Sequence, residues 1–242
     1  MRTDIDRLQT FYASPLGRMA EEMMARRIAT LWPDVRDLDV LGYGYADGLL
    51  EPFRPQARRV VSASPDAQGI VRWPADDRCA CALVDEERLP FRDSLFDRLI
   101  VCHGLEEAEG PRRLLRELWR ISAPEARILV IVSHRRGLWA RAEATPFGHG
   151  QPYTRLQLYR LLEAAMFQPT ASARVLYAPP LGWPMITSAG EAWERIGSTL
   201  WSSFGGVLMI EAVKRLHIEP GGARQPVKRR VKLPVASQLP RG

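Results

Sequence analysis

Short apolar runs alternate with stretches of helical periodicity along this chain. The apolar runs have the length of buried strands and fall at residues 38–41, 58–63, 78–84, 95–102, 127–133, 173–178 and 206–213. Apolar residues recur every three or four positions at 15–31, 111–121, 154–165 and 189–200. This alternation predicts an α/β protein built on one doubly wound, parallel sheet of seven strands, with helices on both faces.

The first strand leads directly into a glycine turn at residues 42–48. Gly42 permits a tight reversal of the chain, and Gly44 lets the backbone come close to a ligand. The amide groups that open the following helix carry partial positive charge. Because an ordinary strand-to-helix turn has the same sequence features, this motif alone leaves both interpretations open.

Polar residues follow several of the other predicted strands. Ligands of a doubly wound sheet bind at the carboxyl ends of its strands, so these residues mark the expected site. After the third, fourth and fifth strands they are Asp85, Glu86, His103, Ser133 and His134. Residues 145–153, which are rich in glycine and proline, are expected to form a lid or a pocket wall beside them.

Composition places the chain among single-domain proteins with an uneven distribution of charge. Its 242 residues, 46% of them hydrophobic, suffice for one full core. The formal net charge is +6, but eight basic residues face one acid from residue 214 onward, so the rest of the chain is close to neutral. Residues 217–242 also contain four prolines and a Gly-Gly pair, and they are predicted to be a disordered basic tail.

The cysteines and the lack of long apolar segments indicate the cellular compartment of the protein. No run of eighteen apolar residues is present and the first residues do not resemble a signal peptide, so we expect a cytoplasmic protein without a membrane span. Cys79, Cys81 and Cys102 are expected to be buried thiols. The spacing of Cys79 and Cys81 does not suit a zinc site, and no metal is predicted.

Three segments together resemble a known family. Residues 85–97 read Asp-Glu-Glu-Arg-Leu-Pro-Phe-Arg-Asp-Ser-Leu-Phe-Asp, residues 103–106 read His-Gly-Leu-Glu, and the helix at 111–120 follows. This pattern, over residues 35–135, resembles the class I S-adenosylmethionine-dependent methyltransferases of the type 11 group. The resemblance implies a Rossmann-like methyltransferase sheet, S-adenosylmethionine as cofactor, and in-line methyl transfer in which the protein mainly aligns donor and acceptor.

The resemblance also implies the domain organisation. Residues 1–216 would form the methyltransferase-like domain, with an N-terminal helical segment at 1–33. Residues 137–200 would be the insertions on the acceptor side. The sequence does not identify the acceptor, because its pocket is built from the segments least constrained by the core.

The same resemblance assigns the methionyl end of the cofactor to two parts of the chain. Gly42, Tyr43 and Gly44 would lie against the methionyl and ribose groups. Tyr12 and Arg18 would close over the methionine carboxylate.

The adenine end of the cofactor is assigned to the loops after the third and fourth strands. Asp85 would accept a hydrogen bond from the adenine amino group, and the backbone amide of Glu86 would meet the ring. His103 and Leu105 would lie near the methyl group or the adenine, and His103 is the candidate catalytic residue. The side chains suited to act as a general base near neutral pH are His103, His134 and His149. The alternative to a binding role for Asp85 is a solvated loop carboxylate. The alternative to a catalytic role for His103 is a hydrogen-bonded structural histidine.

Two features depart from the family pattern. Ala46 replaces the last glycine of the turn, and Val40 replaces the acid that precedes it. The second strand ends in Ser64-Pro65 without the acid that takes both ribose hydroxyls, and Asp66 is the nearest carboxylate. Losing a charged hydrogen bond of this kind weakens binding by about ten- to a hundredfold.

Two function classes therefore compete. The first is a methyltransferase acting on an unidentified acceptor. The second is a catalytically degenerate fold that serves as a binding or assembly module, docking through residues 224–232 onto nucleic acid or an acidic protein. A nicotinamide-dependent oxidoreductase ranks last, because the turn lacks a third small residue at the required position.

Overall fold

One mixed sheet of seven strands forms the centre of the computed structural model, which describes residues 2–200 and 205–215. The strand order is β3-β2-β1-β4-β5-β7-β6. The strands are β1 (Asp39–Gly44), β2 (Arg59–Pro65), β3 (Cys81–Val84), β4 (Phe96–Cys102), β5 (Ser122–Ser133), β6 (Phe167–Val175) and β7 (Val207–Lys214). The predicted seven-stranded, doubly wound α/β fold is confirmed. The tail at 217–242, with the docking segment 224–232, lies outside the described residues.

The expectation of a fully parallel sheet is wrong at one strand. β1, β2, β3, β4 and β5 pair in parallel, but β7 runs antiparallel to both β5 and β6. β7 follows β6 in the sequence but lies between β5 and β6 in the sheet. Because β1 to β5 are parallel, their carboxyl ends meet at one edge of the sheet.

Helices cover both faces of this sheet. In the described part of the chain they are α1 (Ile5–Ala13), α2 (Pro15–Leu31), α3 (Asp47–Leu50), α4 (Pro111–Ile121), α5 (Arg155–Ala164), α6 (Pro184–Thr187) and α7 (Gly190–Leu200). Ser14 caps α2 by accepting a hydrogen bond from the amide of Gly17 at 3.1 Å, and Pro15 follows at the first helical position. Thr154 and Gln157 form a capping box at the start of α5. Local sequence therefore sets where these helices begin.

Some boundaries differ from the predicted ones. β6 begins at Phe167, whereas the sequence predicted a strand from 173. The first half of β6 is polar and contains Pro169, where the register shifts at the edge of the sheet, so no apolar run marked it as a strand. The helix expected after the glycine turn is the single turn α3, followed by a 3₁₀ helix at Glu51–Phe53.

Alternate residues of the central strands pack into two separate layers. Val40 and Ile100 belong to the layer under α2, where Met24 is fully buried. Leu41 and Leu99 belong to the layer under α4 and α5. This alternation is the period of two that a sheet buried on both faces requires.

α2, although it is the longest described helix, is too polar to span a bilayer. None of the helices in residues 2–200 and 205–215 combines the length and the apolar character that crossing a membrane demands.

Candidate functional site

The glycine turn after β1 is packed tightly against the end of β4. Gly44 has a φ of +88°, and a Cβ atom there would lie 2.2 Å from the carbonyl oxygen of Cys102. The amide of Tyr45 donates a hydrogen bond to that same oxygen at 2.8 Å. A Cβ atom at Gly42 would lie 2.6 Å from Cδ1 of Leu50 in α3. Both glycines are therefore required by contacts within the chain, and the structure brings the turn and the end of β4 together as predicted.

The N-terminal segment, residues 2–13, lies across the loops that follow β3 and β4. Arg2 forms an ion pair with Glu86 and donates a hydrogen bond to the carbonyl oxygen of Gly104 at 3.3 Å. The amide and the hydroxyl of Thr3 both donate to the carboxylate of Glu107, each at 2.7 Å. The start of the chain thus covers this edge of the sheet.

Tyr12, at the end of α1, joins His103 in a buried aromatic cluster. Its hydroxyl is hydrogen-bonded to Nε2 of His103 at 2.7 Å, and its ring stacks on Tyr45 with centroids 5.1 Å apart. The ring of Phe147 lies 4.6 Å from that of His103. Burial lowers the pKa of His103 to about 3, so the imidazole is neutral at physiological pH and only weakly basic. His103 suits a hydrogen-bonding role better than that of a general base.

Glu106 is the residue at this site that sequence reasoning passed over. Its Oε1 accepts a hydrogen bond from the amide of Ser133 at 3.0 Å, whereas Oε2 is buried and has no partner among the described residues. Burial raises the pKa of Glu106 to about 7. Glu106 closes the segment 103–106 that carries the family resemblance, which is the signal that could have identified it.

The residues predicted to bind adenine differ in burial and in the partners that they contact. Asp85 is exposed, and its Oδ1 accepts a hydrogen bond from the amide of Glu87 at 2.8 Å. Glu86 is held by Arg2 and by the amide of Glu109 at 2.9 Å, while Leu105 is fully buried. Asp85 and Glu86 are therefore already engaged in interactions within the chain.

Tyr43 projects from β1 beneath the loop that follows β4. A Cβ atom at Gly104 would lie 2.7 Å from its ring, which is fully buried. Its hydroxyl has no hydrogen-bond partner among the described residues. Burial raises its pKa, and the charges of Glu86 and Asp66 act in the same direction.

The end of β2 carries a neutral polar pair where the resemblance led us to expect an acid. Nε2 of Gln68 donates to the hydroxyl of Ser64 at 3.1 Å, and both side chains are buried. Asp66 is exposed and accepts a hydrogen bond from the amide of Ala67 at 2.7 Å. The nearest acid in the sequence is thus turned outward.

Three predicted side chains lie in other surroundings. Arg18 is exposed and donates to the carbonyl oxygen of Ala13 in the preceding helix, so it does not join the cluster around Tyr12. Nδ1 of His134 lies 3.0 Å from the carbonyl oxygen of Gly205. Nε2 of His149 lies 2.9 Å from that of Glu143. All three contacts are with backbone carbonyl oxygens, and the roles predicted for these side chains stay predictions.

The cysteines correct one expectation. Cys102 is buried as predicted, but Cys79 is exposed and Cys81 is half-buried, because the strand β3 begins only at Cys81. Within the part of the chain that the structure describes, no group of three or more His, Cys, Asp or Glu side chains is arranged to hold a metal ion.

An open groove of about 420 Å³ lies beside the loop after β4. It runs between the start of α4 and α5, and Gln151 and Tyr153 form part of its wall. The amide of Gln151 donates to the carbonyl oxygen of Glu106 at 2.8 Å. The end of the loop 145–153 thus forms part of this groove, whose lining includes none of the predicted site residues.

Part of this chain is similar in sequence to known methyltransferases. Residues 40–130 match the family model described as a methyltransferase domain. The malonyl-[acyl-carrier protein] O-methyltransferase of Halorhodospira halophila is 34% identical over 110 residues, which are 41% of this chain and 37% of that protein. The norajmaline N-methyltransferase of Rauvolfia serpentina is 27% identical over 89 residues, 35% of this chain and 30% of that protein. The chain spans about a third of the length of these curated relatives.

Solved structures share the fold at low sequence identity. A SAM-dependent methyltransferase from Archaeoglobus fulgidus superposes with a TM-score of 0.60 at 17% identity, covering 85% of this chain and 97% of that one. One from Thermotoga maritima gives 0.60 at 16% identity, covering 87% and 96%. The [4+2]-cyclase SpnF gives 0.58 at 17% identity, covering 82% of each chain. Since a cyclase also has this fold, the likeness by itself does not define the reaction.

Proposed function

We propose that this chain binds S-adenosylmethionine and transfers its methyl group to an acceptor, because residues 40–130 match the methyltransferase-domain model and the sheet shares the fold of solved SAM-dependent methyltransferases. The observation that carries the proposal is the extent of the family match. It begins within β1 and includes β2, β3, β4 and most of β5, whose carboxyl ends form the edge where the predicted residues meet. Ligands of open α/β sheets bind at that edge.

Unpartnered polar atoms at this edge suit a polar ligand. The hydroxyl of Tyr43 and Oε1 of Gln68 are both buried without a partner among the described residues. Such an atom costs about 1–3 kcal/mol, so groups that pair with it on binding recover free energy. The residues present therefore fit a nucleoside with hydroxyl and amino groups.

Two carboxylates beside the glycine turn suit a cation. Burial raises the pKa of Glu21, and the charges of Asp47 and Glu51 raise it further. Burial also raises the pKa of Asp47, although the hydrogen bond that Ser62 donates at 2.5 Å acts to lower it. A positively charged group placed here would relieve this repulsion. The amino group and the sulfonium of S-adenosylmethionine are such groups.

The chemistry divides between the cofactor and the chain. Bound S-adenosylmethionine supplies an activated methyl group, and the chain orients the acceptor and excludes water. Tyr12, His103 and Phe147 form a dry wall of neutral rings. Where the acceptor must lose a proton, the candidate to accept it is Oε2 of Glu106, which lies after β4 without a hydrogen-bond partner among the described residues and belongs to a group whose pKa burial raises. His103 stays in the proposal as a hydrogen-bonding group in its neutral form.

Isothermal titration calorimetry with S-adenosylmethionine and S-adenosylhomocysteine tests the proposal. We expect micromolar binding by the full chain and at least tenfold weaker binding by Asp85→Asn. Glu163→Gln, which neutralises an exposed acid near the end of α5, a helix packed against β6, is the control and should bind as the parent does. Absence of heat at millimolar cofactor would overturn the proposal. No observation on the described residues favours docking through 224–232 instead.

A further inference from the structure

Two of the three cysteines lie side by side at the start of β3. Sγ of Cys79 is 3.4 Å from Sγ of Cys81, and both cysteines are free thiols. Cys79 is exposed and Cys81 is half-buried, so the pair is open to solvent, whereas Cys102 is fully buried in the sheet. The proposed methyl transfer assigns no role to Cys79 or Cys81.

The two thiols have different surroundings. Sγ of Cys81 accepts a hydrogen bond from the amide of Trp73 and donates one to the carbonyl oxygen of Val71, each at 3.3 Å. Burial raises the pKa of Cys81. Hydrogen bonding by the backbone of Cys81 lowers the pKa of Cys79, and the charge of Arg72 acts in the same direction. Because the thiolate is the nucleophilic form, Cys79 is the thiol that reacts first.

Joining the two sulfur atoms requires only a small movement. Bonded sulfur atoms lie about 2.05 Å apart, so the two Sγ atoms must approach each other by about 1.3 Å. β3 begins at Cys81, which is in register with Ser62 of β2, and Cys79 precedes the strand. The movement can therefore take place at Cys79 while the pairing of β3 with β2 stays intact.

We propose that Cys79 and Cys81 form a modification site at which a peroxide oxidises the two thiols to an intramolecular disulfide. The Cys79 thiolate first attacks a peroxide oxygen, so that the O–O bond breaks and Cys79 becomes a sulfenic acid. The leaving oxygen takes up the proton that Cys79 released to the solvent. Sγ of Cys81 then displaces hydroxide from Sγ of Cys79, and the thiol proton of Cys81 converts that hydroxide to water. The two sulfur atoms thereby lose two electrons, which reduce the peroxide.

Oxidation should also change the contacts of the segment before β3. A disulfide sulfur carries no proton, so Cys81 would lose its hydrogen bond to the carbonyl oxygen of Val71. Cys79 is exposed, and exposed or strained disulfides are reduced more readily than buried ones. A dithiol reductant should therefore reverse the modification, which requires no S-adenosylmethionine.

Mass spectrometry of the full chain after treatment with hydrogen peroxide tests the proposal. Trypsin cleaves after Arg78 and Arg88, so the single peptide 79–88 contains both cysteines. When the remaining thiols are alkylated, this peptide should carry no alkyl group and be two hydrogen atoms lighter than its reduced form. Dithiothreitol should restore two alkylated cysteines. Cys102 is the internal control, and it should react about tenfold more slowly because it is buried.

Two variants separate the roles of the two thiols. Cys81→Ser keeps a hydroxyl that donates to Val71, and it should accumulate the sulfenic acid at Cys79, which dimedone traps. Cys79→Ser should give neither the dimedone adduct nor the disulfide. Two alkylatable thiols in the parent peptide after Cys102 has reacted would overturn the proposal, and so would a disulfide that links two chains. Either result is independent of methyl transfer, since the reaction is run without S-adenosylmethionine.

Discussion

Replacing Glu106 by glutamine should make the stability of the protein less dependent on pH. The carboxyl group is 7% exposed, and burial raises its pKa from 4.5 to about 7. Below pH 4.5 the group is neutral in the folded and the unfolded chain, so it costs nothing. Between pH 4.5 and 7 the unfolded chain ionises first, and folding loses stability as the pH rises. The full cost above pH 7 is about 3 kcal/mol, from 1.36 kcal/mol for each pH unit.

Urea denaturation at pH 5 and pH 8 measures this effect. A glutamine keeps an oxygen that accepts from the amide of Ser133 but never ionises. The stability of Glu106→Gln relative to the parent should therefore rise by about 2.5 kcal/mol between the two pH values. Groups common to both proteins cancel in this difference, and Glu163→Gln on the exposed surface of α5 serves as the control. A change smaller than about 0.5 kcal/mol would refute the burial argument.

Two further changes test the contacts that close the site. Tyr12→Phe leaves Nε2 of His103 buried without its partner and should cost about 1–3 kcal/mol in urea denaturation, whereas a cost below about 0.5 kcal/mol would show that this hydrogen bond contributes nothing. Gly44→Ala should lower the free energy of unfolding by about 3 kcal/mol or more, because the new Cβ would meet the carbonyl of Cys102 at a φ of +88°. Gly182→Ala, where a Cβ meets no atom within 4 Å, should be nearly neutral, and equal effects of the two substitutions would contradict the steric argument.

Much of the sheet could be predicted because its strands are buried on both faces. β4 and β5 end in continuous apolar runs at 99–102 and 128–132, and the run in β7 is interrupted only by Glu211, so these strands are visible in a single sequence. β6 is an edge strand with a polar first half, so its start at Phe167 left no apolar run to find. The antiparallel direction of β7 depends on its neighbours, which the pattern of one strand does not contain.

The helical segment predicted at 1–33 was not divided into α1 and α2, although the sequence marks α1 as a separate helix. Asp4 caps the helix by accepting from the amide of Asp6 at 2.9 Å, and Ile5, Leu8 and Tyr12 are its buried positions. These residues have the spacing of one helix face. The signal was present in the sequence and was overlooked in favour of the longer helix that follows.

The ends of the predicted strands were enough to predict where the candidate site lies, but the contacts within the site could not be predicted from the sequence. The hydrogen bond between Tyr12 and His103 joins residues 91 positions apart, and it forms only because α1 docks against the end of β4. The pKa of Glu106 depends on burial by several elements, which the sequence does not specify. The roles assigned from the family to Asp85, Glu86 and the glycine turn stay predictions, since binding measurements are what decide them.

The place of β7 in the sheet has a consequence for synthesis on the ribosome. Although β7 is the last strand of the described chain, it lies between β5 and β6 and supplies the backbone hydrogen bonds of both. A nascent chain that ends before Val207 leaves the inner edge of β6 unpaired and the apolar positions of β5 without their neighbour. The domain can therefore complete its sheet only after nearly all of these residues have left the exit tunnel, and chains truncated before that strand should be captured by chaperones or degraded.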